Sequence, residues 1–125
     1  MSEKEKMLAG QVYSADDGDL LRELADTREL VHRYNSLSPS LQEERLGILK
    51  DLLGGIGDEE IIINQPFFCD YGKQIRVGKR FFANFHFTVL DEAPVTIGAG
   101  SVVTHDIPSD VVAVGNPCKV LRSVL

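Results

Sequence analysis

Apolar residues in the first 55 positions recur with the spacing of amphipathic helices. Acidic residues at Asp16, Asp17 and Asp19 precede the first stripe, and carboxylates stabilise a helix start by accepting from free backbone N–H groups. Pro39 disfavours helix at the residue before it, so we expect a break there, with Ser38 as the N-cap of a second helix. The two stripes are Leu20, Leu21, Leu24, Val31 and Tyr34, and then Leu41, Arg45 (by its aliphatic stem), Ile48, Leu49, Leu52 and Leu53. Gly54 and Gly55 then end the second helix.

The period changes to six in the second half of the chain. Small or apolar residues stand at Ile63, Cys69, Val77, Ala83, Val89, Ile97 and Val103, with gaps of 6, 8, 6, 6, 8 and 6. Each gap of eight equals a hexapeptide with two extra residues. Self-similarity at a fixed period indicates a solenoid, and one inward apolar residue every six predicts a parallel β-helix with three short strands per turn.

The predicted solenoid is small. Residues 61–107 provide about two and a half turns of three hexapeptides each. Because stacked repeats must bury their core against neighbours, we expect the N-terminal helices to cover one end and residues 106–125 the other. Oligomerisation is a further expected source of stability.

Charge, hydropathy and cysteine content argue against several classes of protein. The formal charge of −6 argues against a nucleic-acid partner, which would favour a basic face. No apolar run approaches the roughly 20 residues of a membrane span, and the charged first residues lead into no signal-peptide core. Cys69 and Cys118 are too few for a disulfide framework, so we predict buried thiols and a cytoplasmic location.

Several motifs together resemble the maltose and galactoside O-acetyltransferases. They are residues 5–13 and 28–35, Pro66–Gly72, Ile75–Gly78, Phe82–Phe85, Leu90–Gly98, Gly98–Asp106 with Ile107-Pro108, and Gly115–Val120. The resemblance implies a mainly β protein, with a helical subdomain over 1–55 and a short left-handed parallel β-helix with a C-terminal cap over 56–125. It further implies a homotrimer that transfers acetyl from acetyl-CoA to a sugar hydroxyl.

The chain departs from this family in its middle coils. Members carry a histidine there, usually followed by proline, that deprotonates the attacking hydroxyl. This chain has no His-Pro pair, and its three histidines are His32, His86 and His105. Coils that help to form the acetyl-CoA groove are also missing between Gly98 and Ala99. We therefore predict an internally truncated member with impaired activity.

The resemblance also assigns site residues. Acceptor positions match Asp16, Asp70, Phe82, Asn84 and Glu92, and cofactor positions match Ala99, Thr104, His105, Lys119 and Arg122. Phe82 stands where the family often has tyrosine, and Lys119 where it often has arginine, which is the better bidentate partner for phosphate. A carboxylate suits sugar hydroxyls, and the Asn84 amide can donate to an oxyanion.

His86 is the candidate replacement base. In strand geometry it shares a face with Asn84, two residues away, and a neutral imidazole in contact with a hydroxyl can accept its proton. A surface histidine is the alternative interpretation. A zinc site needs at least three convergent ligands, and two histidines in the second half predict none.

Two functions remain open from the sequence. The first is a sugar O-acetyltransferase that lacks its usual base. The second is a non-catalytic remnant of the same fold that acts as a binding or oligomerisation module.

Overall fold

The computed structural model describes residues 1–108, 111–115 and 117–123. Its helices are α1 (Glu3–Leu8), α2 (Gly18–Ser36) and α3 (Gln42–Leu52). The strands are β1 (Gly55–Ile56), β2 (Ile62–Ile63), β3 (Phe67–Cys69), β4 (Ile75–Val77), β5 (Phe82–Ala83), β6 (Phe87–Val89), β7 (Val95–Ile97), β8 (Val102–Val103), β9 (Val111–Val114) and β10 (Lys119–Ser123). The protein is therefore mainly β after an N-terminal helical segment.

The helical segment differs in detail from the sequence prediction. A third helix, α1, begins with a capping box between Ser2 and Glu5. Asp17 caps α2 as expected, by accepting from the backbone of Asp19 and Leu20. Ser38 does not cap α3. Its hydroxyl accepts from the Ser40 backbone within a turn, and α3 begins only at Gln42, without a side-chain cap.

The apolar stripes of α2 and α3 are mostly buried, as predicted. Leu20, Val31, Tyr34, Leu49, Leu52 and Leu53 lie in the core. The prediction is wrong for Leu41, which is 39% exposed and precedes α3, and for Leu21, which is 48% exposed. Its position next to Leu20 turns it about 100° away from the buried face of the helix.

The strands wind through three sheets in rotation. The first sheet has the order β1-β4-β7-β9-β10, the second β2-β5-β8 and the third β3-β6. Pairing is parallel except between β9 and β10. All seven positions of the six-residue pattern are buried, which confirms their inward direction.

After a first step of 21 residues from β1 to β4, the coil repeats every 20 residues, and the two insertions stack on one another. Phe67 pairs with Phe87, and Ile75 pairs with Val95. The last step is shorter, since Val95 pairs with Val111. Turns of three plain hexapeptides are therefore wrong for this chain.

Side chains fasten the helices to the first coil. Tyr34 donates its hydroxyl to the Ile63 carbonyl at 2.5 Å. Gln65 donates to the Tyr34 and Leu37 carbonyls at 2.6 and 2.8 Å, and so ties the end of α2 to the coil. One continuous apolar cluster joins α2 and α3 to the strands.

The other end is closed by the β9–β10 hairpin. Gly115 accepts from the Val102 backbone at 2.9 Å, and the Cys118 backbone donates to the Val102 carbonyl at 2.7 Å. Both cysteines are buried free thiols, as predicted, and burial raises the pKa of each. Among the described residues, no helix is long and apolar enough to cross a membrane.

Candidate functional site

Three carboxylates meet where the chain passes from the third sheet to the first. This carboxylate corner consists of Asp70, Asp91 and Glu92, and it lies in the stacked two-residue insertions. Asp91 is fully buried, and its carboxylate accepts from the backbones of Asp70 (3.1 Å), Tyr71 (2.8 Å) and Gln74 (3.3 Å). A side chain of one coil therefore fixes the backbone of the preceding coil beside Asp70.

Glu92 and Asp70 form a close carboxyl pair. Burial, followed by a hydrogen bond with the Asp70 carboxyl, raises the pKa of Glu92 to about 7. Burial also raises the pKa of Asp91 to about 6, although its backbone N–H donors act in the opposite direction. A carboxyl pair that holds one proton can both donate and accept hydrogen bonds. That combination suits the hydroxyl groups of a sugar.

Two tyrosines border the carboxylate corner. Tyr71 is buried, and Tyr13 packs against the small cluster that contains it. Burial, and then the nearby Glu92 and Asp70, raise the pKa of Tyr13, and burial raises the pKa of Tyr71 to about 12. Both phenols therefore stay neutral at neutral pH and keep their O–H donors.

Asp16 is not joined to this corner by any hydrogen bond in the described part of the chain. Its carboxylate accepts from the Ser14 hydroxyl in the turn before α2. Of the five predicted acceptor residues, the structure thus brings two together at this corner, Asp70 and Glu92.

A second group of predicted residues meets at the turn between the second and third sheets. This histidine cleft has a volume of about 40 Å³ and is lined by Asn84, Phe85, His86, Phe87, Val103, Thr104, His105 and Asp106. The Thr104 hydroxyl lies 3.0 Å from His105 Nδ1. Asp106 accepts from the Thr88 backbone at 3.0 Å and so covers the free edge of β6.

His86 does not have the strand geometry expected from the sequence. Strand β5 ends at Ala83, and His86 has a φ of 62° in the turn that follows. Asn84 and His86 share the cleft because of this left-handed turn, not because of strand alternation. A positive φ is uncommon for residues other than glycine, and histidine is one of the few that adopt it more readily.

The remaining predicted residues lie on the outside of the coil. Phe82 is half-buried and pairs with Ile62 and Val102 across the second sheet. Ala99 is exposed at the turn that follows β7. Lys119 and Arg122 are exposed on β10, and neither makes an ion pair with a described residue.

The predicted cofactor residues do not form one cluster in the chain. Gly98 packs against Val114, which is the strand partner of Lys119, so Lys119 lies near the Ala99 turn. Thr104 and His105 lie in the histidine cleft, at the next turn. Within the described residues, no group of three metal-binding side chains is arranged to hold an ion.

Sequence reasoning missed Asp91, Tyr13, Tyr71 and Asp106. A signal for Asp91 was present: the two eight-residue gaps are 20 residues apart, so their extra residues had to stack. An aspartate in the second insertion is then well placed to accept from backbone N–H groups of the first.

Comparisons with known proteins agree with the fold. A family model described as the maltose acetyltransferase hexapeptide capping motif matches residues 6–57. A crystal structure of a maltose O-acetyltransferase from Clostridium difficile is 32% identical, covers 98% of this chain and 97% of that one, and superposes with a TM-score of 0.70. A galactoside acetyltransferase in complex with coenzyme A, at 24% identity, has a TM-score of 0.71 and covers 100% of this chain and 92% of its own, which supports the fold alone.

A Saccharomyces cerevisiae protein named as an acetyltransferase matches nearly end to end. It is 32% identical over 181 aligned positions that cover 96% of this chain and 92% of the yeast protein. The alignment is longer than the 125-residue chain, so part of the relative has no counterpart here. On these findings, the chain belongs to the family of maltose and galactoside O-acetyltransferases, the hexapeptide-repeat acetyltransferases.

Proposed function

We propose that the chain transfers an acetyl group from acetyl-CoA to a sugar hydroxyl, at a rate reduced by the loss of the middle coils. The observation that carries the proposal is the histidine cleft, which joins an amide donor, Asn84, to two histidines. Family membership supplies the reaction class, and the acceptor is a sugar of the maltose, glucose or galactoside type.

In this proposal His86 is the base. Its imidazole takes the proton of the sugar hydroxyl. The Asn84 amide donates to the thioester carbonyl oxygen, which becomes negative as the hydroxyl attacks. Acetyl-CoA supplies the acetyl group as a thioester: the new C–O bond forms, the C–S bond breaks, and CoA leaves as a thiol with the proton that His86 took from the sugar. Asp70 and Glu92 hold the other hydroxyls of the sugar, with Asp16 and Phe82 as further acceptor contacts.

The free cations fit the proposed cofactor. Lys119 and Arg122 are exposed and make no ion pair with a described residue, so they are free to bind the phosphates of CoA. We assign Ala99, Thr104 and His105 to the rest of the acetyl-CoA contact. Binding is weakened in this proposal, because coils of the groove are missing.

A homotrimer is part of the proposal. His86 precedes β6 and Glu92 follows it, so the histidine cleft and the carboxylate corner of one chain are at opposite ends of a three-residue strand. Such a strand is about 10 Å long. A neighbouring copy can complete each site.

We also propose, from the family, that the coil is left-handed and that residues 1–55 form the helical subdomain and 56–125 the shortened β-helix. We propose a cytoplasmic location because both cysteines are free thiols. Nothing in the proposal involves nucleic acid or a membrane.

An acetyl-CoA turnover assay with glucosides, galactosides and maltose tests the proposal. The informative variant is His86→Asn, because asparagine tolerates the positive φ of this turn and removes the base. We expect turnover to fall by roughly 10²-fold or more. The matched control, Lys79→Ala at an exposed turn, should leave it unchanged.

The alternative function is a non-catalytic scaffold. The yeast alignment, longer than the chain, supports this alternative, because part of the relative has no counterpart in this chain. A folded trimer without turnover on any acceptor, or one whose turnover is unaffected by His86→Asn, would contradict the assignment of His86.

A further inference from the structure

An open groove runs between α3 and the residues that lead into β2. This edge groove has a volume of about 610 Å³. Leu46 and Leu49 of α3 line one side of it, and Ile61 and Ile63 line the other. Strand β2 is the first strand of the second sheet, so only its β5 side has a described strand beside it. The edge groove therefore lies along an unpaired strand edge.

The backbone of β2 leaves hydrogen-bonding groups on this edge. The N–H groups of Ile62 and Asn64 donate to carbonyls on the β5 side, at 2.9 and 3.1 Å. Because the groups of a strand alternate between its two neighbours, those of Ile61 and Ile63 are directed to the opposite side. Neither the Ile61 nor the Ile63 N–H donates to a described residue. Such an edge is a template for pairing with a further chain.

The third sheet shows how this fold closes an edge. The Asn35 amide donates to the Phe67 carbonyl at 3.0 Å and accepts from the Phe67 N–H at 2.9 Å, so one side chain satisfies both groups. At Ile63 the helices satisfy only the carbonyl, which accepts from the Tyr34 hydroxyl at 2.5 Å and from Arg45 at 3.0 Å. Ile63 is buried, and an N–H group of a buried residue is rarely left unpaired. The edge of the second sheet thus lacks a hydrogen-bond acceptor.

Arg45 supplies a second unpaired donor beside the same strand. Its guanidinium is held by the Pro39 and Ile63 carbonyls, each at 3.0 Å, and its Cζ lies 5.6 Å from the centre of the Tyr34 ring. Its Nε is buried and has no partner in the part of the chain that the structure describes. Buried donors are normally satisfied. Since the guanidinium already bonds to Ile63, the carbonyls of one extended peptide can accept from both donors.

The rim of the edge groove is acidic. Glu43, in the first turn of α3, and Glu60, just before β2, both line it. Both are exposed, and neither forms an ion pair with a described residue, whereas Glu59 pairs with Lys50. Cationic side chains of a bound segment would meet these two carboxylates. The charge of the rim therefore selects among the peptides that the strand edge can pair with.

We propose that the edge groove binds an extended, cationic peptide segment of another protein as an added strand beside β2. Main-chain carbonyls of the peptide accept from the Ile63 N–H and the Arg45 Nε, and its apolar side chains pack against α3. Its Lys or Arg side chains meet Glu43 and Glu60. Ile62, whose side chain is exposed on the outer face of the coil, has no part in the site. The inference does not rest on the proposed acetyl transfer.

Fluorescence anisotropy with labelled peptides and the full chain tests the inference. The probe is fluorescein-labelled Gly-Lys-Val-Lys-Val-Lys-Gly. One control peptide has Glu for each Lys, and the other has Pro for each Val, which keeps the charge and removes main-chain donors. We expect the probe to bind about tenfold more tightly than either control. Glu60→Gln should weaken binding roughly three- to fivefold. Glu44→Gln, at an exposed position outside the lining of the groove, should leave it unchanged.

Amide hydrogen exchange reports the added strand directly. With the probe at a concentration well above its Kd, the Ile61 and Ile63 amide protons should exchange about tenfold more slowly than in the free chain. Charge-selective binding without this protection would mean attraction to a chain of net charge −6, and would overturn the inference. Equal affinity for the probe and the Pro control, or equal losses for the two variants, would contradict it as well. Protection in the free chain that rises with protein concentration would assign the edge to a second copy instead.

Discussion

The buried carboxylate of Asp91 shows how one side chain can organise a site that it does not enter. It accepts three backbone N–H groups of the preceding coil, and Asp70 is one of the residues held in this way. The acceptor role of Asp91 could have been predicted from its residue type, since aspartate often accepts hydrogen bonds from nearby backbone N–H groups. The backbone groups that donate to Asp91 could not have been predicted, because they lie in another coil and depend on the exact stacking of the insertions.

Glu92→Gln should change the pH dependence of stability. The folded state raises the pKa of Glu92 to about 7 from an ordinary value of 4.5, so the folded state binds the proton more tightly than the unfolded state. The contribution of this group is therefore full below about pH 4.5 and is lost as the pH rises through about 7. The natural chain should lose stability between pH 5 and 8, and the variant, which cannot ionise, should lose less.

Urea unfolding at several pH values measures this effect. Glu29→Gln, at an exposed position of α2, is the matched control and should follow the natural chain. Asp91, whose pKa is raised to about 6, should leave a residual slope in the Glu92→Gln variant. Identical slopes for the natural chain and the Glu92→Gln variant would mean that the carboxyl pair holds no shared proton.

At the scale of elements, the turns between the first and second sheets stack backbone on backbone. A Cβ added at Gly57 would overlap the Lys79 nitrogen, and one added at Gly78 would overlap the Ala99 nitrogen. Glycine recurs here at about the coil repeat because the adjacent turns leave no room for a side chain. The six-residue pattern located the inward residues correctly, yet it could not show which turns are in contact, since that depends on the 20-residue step.

Gly78→Ala and Gly47→Ala should have opposite effects. Gly47 lies in α3 with nothing within 4 Å of an added Cβ, so alanine should stabilise the helix by roughly 0.5–1 kcal/mol. Gly78→Ala forces a stacked turn apart and should cost about 1–3 kcal/mol. The difference in denaturant midpoint between the two variants measures this. Equal shifts in the same direction would show that the turns are not closely stacked.

The ends of the coil were the least predictable elements. The sequence indicated that residues 106–125 close one end, and the β9–β10 hairpin has that position. Its antiparallel pairing was not foreseen, because no period of six continues there. Helix α1 was also missed as a separate element, since six residues are too few to show a helical period.

For the whole molecule, the short coil leaves much apolar surface uncovered. The third sheet has only two described strands. At the free edge of β6, the Asp106 carboxylate accepts a hydrogen bond from the Thr88 backbone and so covers part of that edge. Ile62, Phe68, Phe85 and Leu90 are all exposed by 45% or more. Family membership was evident from motifs spread along the sequence, whereas assembly depends on how these outward side chains are covered, and a single chain does not contain that information.

We expect this surface to be covered by self-association into a homotrimer. Sedimentation velocity should then give three times the 13.8 kDa mass of the chain, and the melting temperature should rise with protein concentration, because dissociation precedes or accompanies unfolding. A monomeric mass with a concentration-independent melting temperature would contradict the trimer. It would also separate the histidine cleft permanently from the carboxylate corner, so the proposed transfer reaction would lose its structural basis together with the assembly.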